Sequence, residues 1–149
     1  MRWFAWGALP LALAGCGSSP SAPTAPTAAG PSTKLAAPAA TKNWTDFKIQ
    51  AARRIVEANP NGVYTGAPQQ VLLAIPVLEV ELNADGSIKR IEVMRRPGQA
   101  PETLQMAIDA VKRAAPFGDV SKLPKPWKFT EVFLFNDDKR FKPRTLDAL

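Results

Sequence analysis

Few residues in this sequence can carry chemistry. Cys16 is the only cysteine, and there is no histidine. The missing histidine removes the side chain that titrates most readily near neutral pH and the commonest metal ligand. A lone cysteine excludes an internal disulfide framework and any Cys-based metal cluster. Two carboxylate pairs could act as acid and base: Glu79 with Glu81, and the adjacent Asp137 and Asp138. Alternate strand positions share a face, so Glu79 and Glu81 could work together. Opposite an apolar face, however, such a pair is ordinarily just the hydrated side of a strand. No Ser or Cys nucleophile motif accompanies them. The sequence is therefore read as non-enzymatic, with no catalytic residue, metal or cofactor; a cell-wall-acting enzyme is the distant alternative.

Cys16 is informative through its position. Arg2 supplies one positive charge, Trp3 to Ala14 is nearly all apolar, and Leu13-Ala14-Gly15-Cys16 follows. A basic head, a short apolar run and small residues before a cleavage point read as an export signal. That run is shorter than the roughly 20 residues needed to span a bilayer. Leu13-Ala14-Gly15-Cys16 resembles the lipobox of bacterial lipoproteins; an incidental thiol in an uncleaved N-terminus is the alternative. The resemblance implies that residues 1–15 are a signal peptide and that Cys16 becomes a lipidated N-terminus. The chain is then anchored in the bacterial envelope facing the periplasm. At about 0.8 kcal/mol per buried CH₂, several acyl chains make such an anchor effectively permanent. Gly17, not Asp, follows the cysteine, which in that family favours the outer membrane over the inner.

Positions 17–42 hold five prolines (20, 23, 26, 31, 38) among Ala, Ser and Thr. Such a stretch buries too little apolar surface to offset its ordering entropy, so a disordered or polyproline-like linker over 16–42 is expected. Fully extended it reaches ~80 Å. One small domain then occupies 43–149. The net charge of +6 is spread in pairs such as Arg53-Arg54, Lys89-Arg90 and Arg95-Arg96, interleaved with acids. That is the pattern of a solvated surface, and it conflicts, as the export signal does, with a nucleic-acid partner.

Within the domain a helix is expected over Trp44–Asn59, capped by Asn43, with Trp44, Phe47, Ala51, Ile55 and Ala58 on one stripe. Pro60-Asn61-Gly62 stops it. Val71–Leu82 reads as a half-buried strand in which Pro76 marks the start or a bend. Ala84-Asp85-Gly86 turns into a second strand, Ser87–Arg95, whose alternation slips near Lys89-Arg90 and calls for a bulge. Pro101 opens a second helix whose stripe is Leu104, Ala107, Ile108, Val111 and Ala115, ended by Pro116. Trp127–Phe135 reads as a third strand. The order α-β-β-α-β implies an α+β fold, with two helices covering one face of a three-stranded antiparallel sheet.

Together these residues resemble a family. Asn83-Ala84-Asp85-Gly86-Ser87-Ile88, with Ile91 and Val93, looks like the Asp-Gly hairpin of the TonB C-terminal domain. Pro101-Glu102 through Ala107, Ala110-Val111 and Ala114-Ala115-Pro116-Phe117 is similar to that family's second helix and its exit. Phe129–Phe135 sits where the family keeps its last strand. The leading helix, residues 122–126 and Phe141-Lys142-Pro143 are closer to the TolA C-terminal domain. The resemblance implies a domain that binds an envelope protein or peptide by strand addition. The edge would be Phe129, Thr130, Glu131, Val132, Phe133, Leu134 and Phe135, and the partner a TonB-dependent receptor or a Tol-Pal-type component. Energy transduction for outer-membrane transport is the alternative. It is weakened because no transmembrane helix or long rod is evident, and Tyr64 is followed by Thr65 where many TonB domains have Tyr-Pro.

Overall fold

The structure is a computed structural model and describes residues 35–148. The expected signal peptide, Cys16 and the linker as far as Lys34 lie outside the described residues.

Helix α1 spans Trp44–Ala58. Asn43 caps it as the sequence implies: its Oδ1 accepts from the Asp46 N–H at 2.9 Å, and its Nδ2 donates to the Asp46 carboxylate at 2.9 Å. A cap of this kind satisfies a backbone donor that the first turn leaves open. Asn59 follows the last turn and is buried, its Nδ2 donating to Ile55 O (2.8 Å) and Ala110 O (3.1 Å). Phe47, Ala51 and Ile55 face the core.

Strand β1 covers Val77–Leu82 and β2 covers Ile88–Arg95. The first strand starts after Pro76, where the chain can again donate to a ladder. Two bulges interrupt the β1–β2 register. Lys89 is the extra residue between the Glu81–Arg90 and Leu82–Ile88 pairs, as the slipped alternation requires. Met94 is a second, between Val77–Arg95 and Leu78–Val93. Helix α2 is Glu102–Ala114, and β3 is Lys128–Phe135. The buried face of α2 is Thr103, Ala107, Ala110, Val111 and Ala114; Leu104 and Ile108 sit half-buried at its rim. The expected stripe is therefore rotated toward the small residues.

The sheet has four strands rather than three, in the order β2-β1-β3-β4 and all antiparallel. The additional strand β4 is Phe141–Pro143, and the short helix α3, Arg144–Asp147, follows it directly. Strand β4 pairs with Phe133–Phe135, and its outer side is met by Val63. The fold class is α+β. Leu78, Val80, Leu82, Phe129, Phe133, Phe135 and Phe141 meet the buried faces of α1 and α2 in a single core. Edge-to-face contacts link Trp44, Phe47, Phe129 and Phe117 at centroid separations of 5.3, 5.7 and 5.2 Å. Each such pair adds about 0.5–1.5 kcal/mol beyond burial.

The composition of 17–42 implies disorder up to Lys42, yet the described part of it, from Leu35, is fixed against α1. Arg54, in the middle of α1 and 8% exposed, donates from Nη1 to Ala36 O at 2.6 Å and from Nε to Ala114 O at 2.7 Å. One helical turn earlier, Gln50 Nε2 donates to Ala39 O at 2.8 Å. Both bonds read main-chain carbonyls, which every residue offers. The ordered domain thus begins at least eight residues before Asn43.

Candidate functional site

Strand β3 carries every residue expected to contact a partner. Its odd-numbered side chains point to the helices: Phe129, Glu131, Phe133 and Phe135 are all buried. Its backbone alternates in the same way. The N–H groups of Phe133 and Phe135 donate to Pro76 O and Ala74 O, and Leu82 N–H donates to Trp127 O. Odd residues therefore bond toward β1, and even residues turn their N–H and C=O to the opposite side.

On that opposite side, β4 reaches only Phe133–Phe135. The strand expected to be the edge over Phe129–Phe135 is internal to the sheet, and its C-terminal half is paired on both sides. Only Lys128–Val132 lacks a strand there among the described residues. Part of this half is already satisfied. Lys128 N–H donates to Pro126 O at 3.0 Å, and Val132 N–H donates to Glu131 Oε1 at 3.1 Å. An incoming strand would find Thr130 N–H and C=O with the carbonyls of Lys128 and Val132. Beside these lies an open depression of about 360 Å³ lined by Trp44, Lys48, Glu79, Lys128 and Thr130. Trp44 is held by its Nε1 donating to Pro124 O at 2.9 Å.

Glu131 occupies the inward phase between two phenylalanines and is 1% exposed. Burial raises its carboxyl above the ordinary glutamate range, and hydrogen bonds from Thr145, Val132 and Arg144 oppose that shift. Besides the Val132 N–H, its Oε1 accepts the Thr145 N–H at 3.2 Å. One carboxyl therefore closes an outward N–H of β3 and ties down the first turn of α3. The sequence places Glu131 on the expected partner-binding edge, whereas the structure buries its side chain. The signal was a charged residue in step with Phe129, Phe133 and Phe135, a position charge rarely takes.

The acid/base candidates lie elsewhere. Glu79 and Glu81 share the sheet face turned away from the helices. Glu79 is paired with Lys128 at 2.9 Å; Glu81 is paired with Lys89 at 2.8 Å and Arg90 at 3.0 Å. The Lys89 hydrogen bond is the main cause holding the Glu81 carboxyl below the usual range, so it is ionised at neutral pH. Asp137 and Asp138 are exposed on the β3–β4 turn. Among the described residues no group of three or more Cys, Asp or Glu side chains is placed to hold a metal ion. No helix among them is long and apolar enough to cross a membrane.

No family model matches the sequence, and neither a curated protein nor a solved structure matches it. The likeness to TonB and TolA C-terminal domains accordingly rests on the residues quoted above.

Proposed function

We propose that this chain is a non-enzymatic binding module of the bacterial cell envelope, tethered by lipid at Cys16 and more at home on the outer membrane than on the inner. It takes an extended segment of an envelope protein or peptide onto the open half of β3. A TonB-dependent receptor or a Tol-Pal-type component is the class of partner the resemblance favours. One observation carries the reading: β3 has unpaired backbone groups at Lys128–Val132 beside a depression walled by Trp44 and Lys48. Strand addition uses such groups for affinity and the flanking side chains for selection. Four backbone hydrogen bonds at about 1 kcal/mol each amount to only ~1 mM binding. Discrimination between partners therefore falls to Trp44, Lys48 and Lys128.

Two experiments test the two halves of this reading. A photo-crosslinking amino acid at Thr130, used in cells and followed by mass spectrometry, should capture an extended segment of one envelope protein. The same group at Leu134, where β4 already pairs, should capture nothing. Equal capture at both positions, or none at Thr130, would defeat strand addition. Metabolic palmitate labelling of the wild type, lost in Cys16→Ser, tests the anchor independently.

A further inference from the structure

We propose that the groove between α1 and Gly118 is a binding site for polyproline-type segments, held here by Leu35–Thr41 and open to exchange with Pro20–Pro26 of the same chain. The seated segment has a period of three. Leu35, Pro38 and Thr41 are half-buried, while Ala36, Ala37, Ala39 and Ala40 between them are exposed. The carbonyls that the domain binds are also three apart: Arg54 Nη1 donates to Ala36 O at 2.6 Å, and Gln50 Nε2 donates to Ala39 O at 2.8 Å. None of the backbone N–H groups of 35–41 donates to the backbone of another described residue. Three residues per turn without main-chain hydrogen bonds is the signature of a polyproline helix.

The site is built into the fold. Arg54 is buried and fixed from its other side by Ala114 O at 2.7 Å. Pro38 lies on Gly118, where φ is +103 and an added Cβ would stand 3.0 Å from Pro38 Cβ. Only a residue without a side chain allows that approach. Leu35, Pro38 and Thr41 share no side-chain chemistry, and Thr41 Oγ1 is buried with no hydrogen-bond partner among the described residues. The groove therefore selects backbone shape, and a proline fits each inward position without loss of a bond. Nor does the seated segment fill it: an open depression of about 500 Å³ remains between Ala36–Pro38 and Ile49, Arg53 and Glu57.

Another stretch of the chain has the same spacing in a stronger form. Pro20, Pro23 and Pro26 fall at every third residue, with Ser, Ala and Thr between them. Aligning them on 35, 38 and 41 puts the Ser21 and Thr24 carbonyls where Ala36 and Ala39 offer theirs. Prolines hold this backbone shape before binding, so less chain entropy is lost on seating. Being on the same chain, the segment also acts at the effective concentration its linker sets. Positions 27–43 would then return the chain to α1, and the closure cost of such a loop grows only slowly with its length. Seating Pro20–Pro26 shortens the chain ahead of the seated segment, and so the reach of any tether it forms. The exchange itself requires neither the lipid anchor nor strand addition to β3.

The test uses the chain from position 16 onward with Cys16→Ser and a photo-crosslinking amino acid at Arg53, an exposed residue beside the seated segment. Trypsin cuts after Lys34 and Lys42, so the two occupants are recovered in separate fragments, 16–34 and 35–42. With the native segment most crosslinks should fall on 35–42 and a minor share on 16–34. Replacing 35–41 by glycine and serine should raise the share on 16–34 about tenfold. Pro20→Gly, Pro23→Gly and Pro26→Gly together should reverse that gain. A free peptide with the sequence of 19–27, in large excess, should displace 35–42 from the chain whose segment is intact, where misfolding of a replaced segment plays no part. The same peptide with glycine for each proline should not. Unchanged crosslinking to 16–34 in a folded replacement variant overturns the proposal, as does displacement by the glycine peptide equal to that by the proline one. Crosslinks to 16–34 found only in dimers overturn it in favour of a second copy of the chain.

Discussion

Replacing Glu131 separates what its hydrogen bonds contribute from what its buried charge costs. Glu131→Ala leaves the Val132 and Thr145 N–H groups without their acceptor in a part-buried site. An unsatisfied buried donor costs about 1–3 kcal/mol. Relief of the carboxylate's desolvation offsets part of this, so the net loss should be about 2–3 kcal/mol. Glu131→Gln keeps an oxygen for the same donors and removes the charge. It should be at least as stable as the wild type at pH 7. Chemical denaturation followed by tryptophan fluorescence measures both. Hydrogen exchange should locate the Ala effect at the Val132, Thr145 and Ala148 amides, with exchange about 30- to 100-fold faster.

The pH dependence supplies the sign. The folded-state pKa of Glu131 is raised above the ordinary value of 4.5, and burial is the leading cause. The unfolded chain therefore releases this proton first as pH rises. Between about 4.5 and the raised folded value, the wild type loses stability with increasing pH on account of this group. Glu131→Gln has no such proton. The advantage of Gln over wild type should be smallest below pH 4.5, grow through that window and level off above it. A Gln variant that instead loses ground to wild type as pH rises would refute the argument, because the carboxylate would then be stabilised where it sits.

Three further outcomes follow from other sites. Gly86 has φ +83, and an added Cβ would lie 2.0 Å from Gly118 O, whereas Gly66 has φ +89 and open space. Gly66→Ala should cost only the left-handed strain of about 1–2 kcal/mol. Gly86→Ala should cost at least 2 kcal/mol more, because relieving the overlap disturbs the Phe117–Gly86 and Val120–Ala84 hydrogen bonds. Each kcal/mol is about 4 °C in Tm for a domain of this size, and melts within 4 °C of each other would refute the contrast. Arg54→Ala should free Leu35–Lys42 from α1, seen as new proteolytic cleavage there, and lower stability by about 2 kcal/mol; unchanged cleavage would show that Gln50 alone suffices. Thr130→Pro removes an N–H that faces away from β1, so it should cost under about 1 kcal/mol while abolishing crosslinking to a partner.

Much of the fold is legible in the sequence, because its signals are local. Asn43 three residues before Asp46, Ala84-Asp85-Gly86 and the slip at Lys89 each specify geometry within a few residues. What stays hidden is set by distant partners. Three residues ending in proline carry no alternation, and Phe141–Pro143 becomes a strand because Phe133–Phe135 and Val63 flank it. The docking of Leu35–Lys42 leaves no mark on that segment, since Arg54 and Gln50 bind its carbonyls and ask nothing of its side chains. For the site, the strand was legible and the direction of its open groups was not. Phe129, Phe133 and Phe135 mark β3 as a core strand, but only pairing with β4 decides which of its residues can accept a partner.

These hidden features change the mechanics of the proposed anchor. With the domain fixed at least from Leu35 onward, a tether of the kind the sequence implies has at most positions 17–34 to draw on. Fully extended, those eighteen residues reach ~56 Å rather than the ~80 Å that a linker to Lys42 would allow. A shorter leash raises the effective concentration of the domain at the membrane that holds it. A half-strand of about four free backbone groups has little affinity to spare, so the effective concentration set by the leash governs how often Lys128–Val132 engages a partner held in the same envelope. Lengthening the 17–34 stretch with a flexible insert should therefore weaken crosslinking from Thr130 in cells while leaving the isolated domain's affinity for the same segment unchanged. If crosslinking is indifferent to that insertion, the leash acts as an anchor alone.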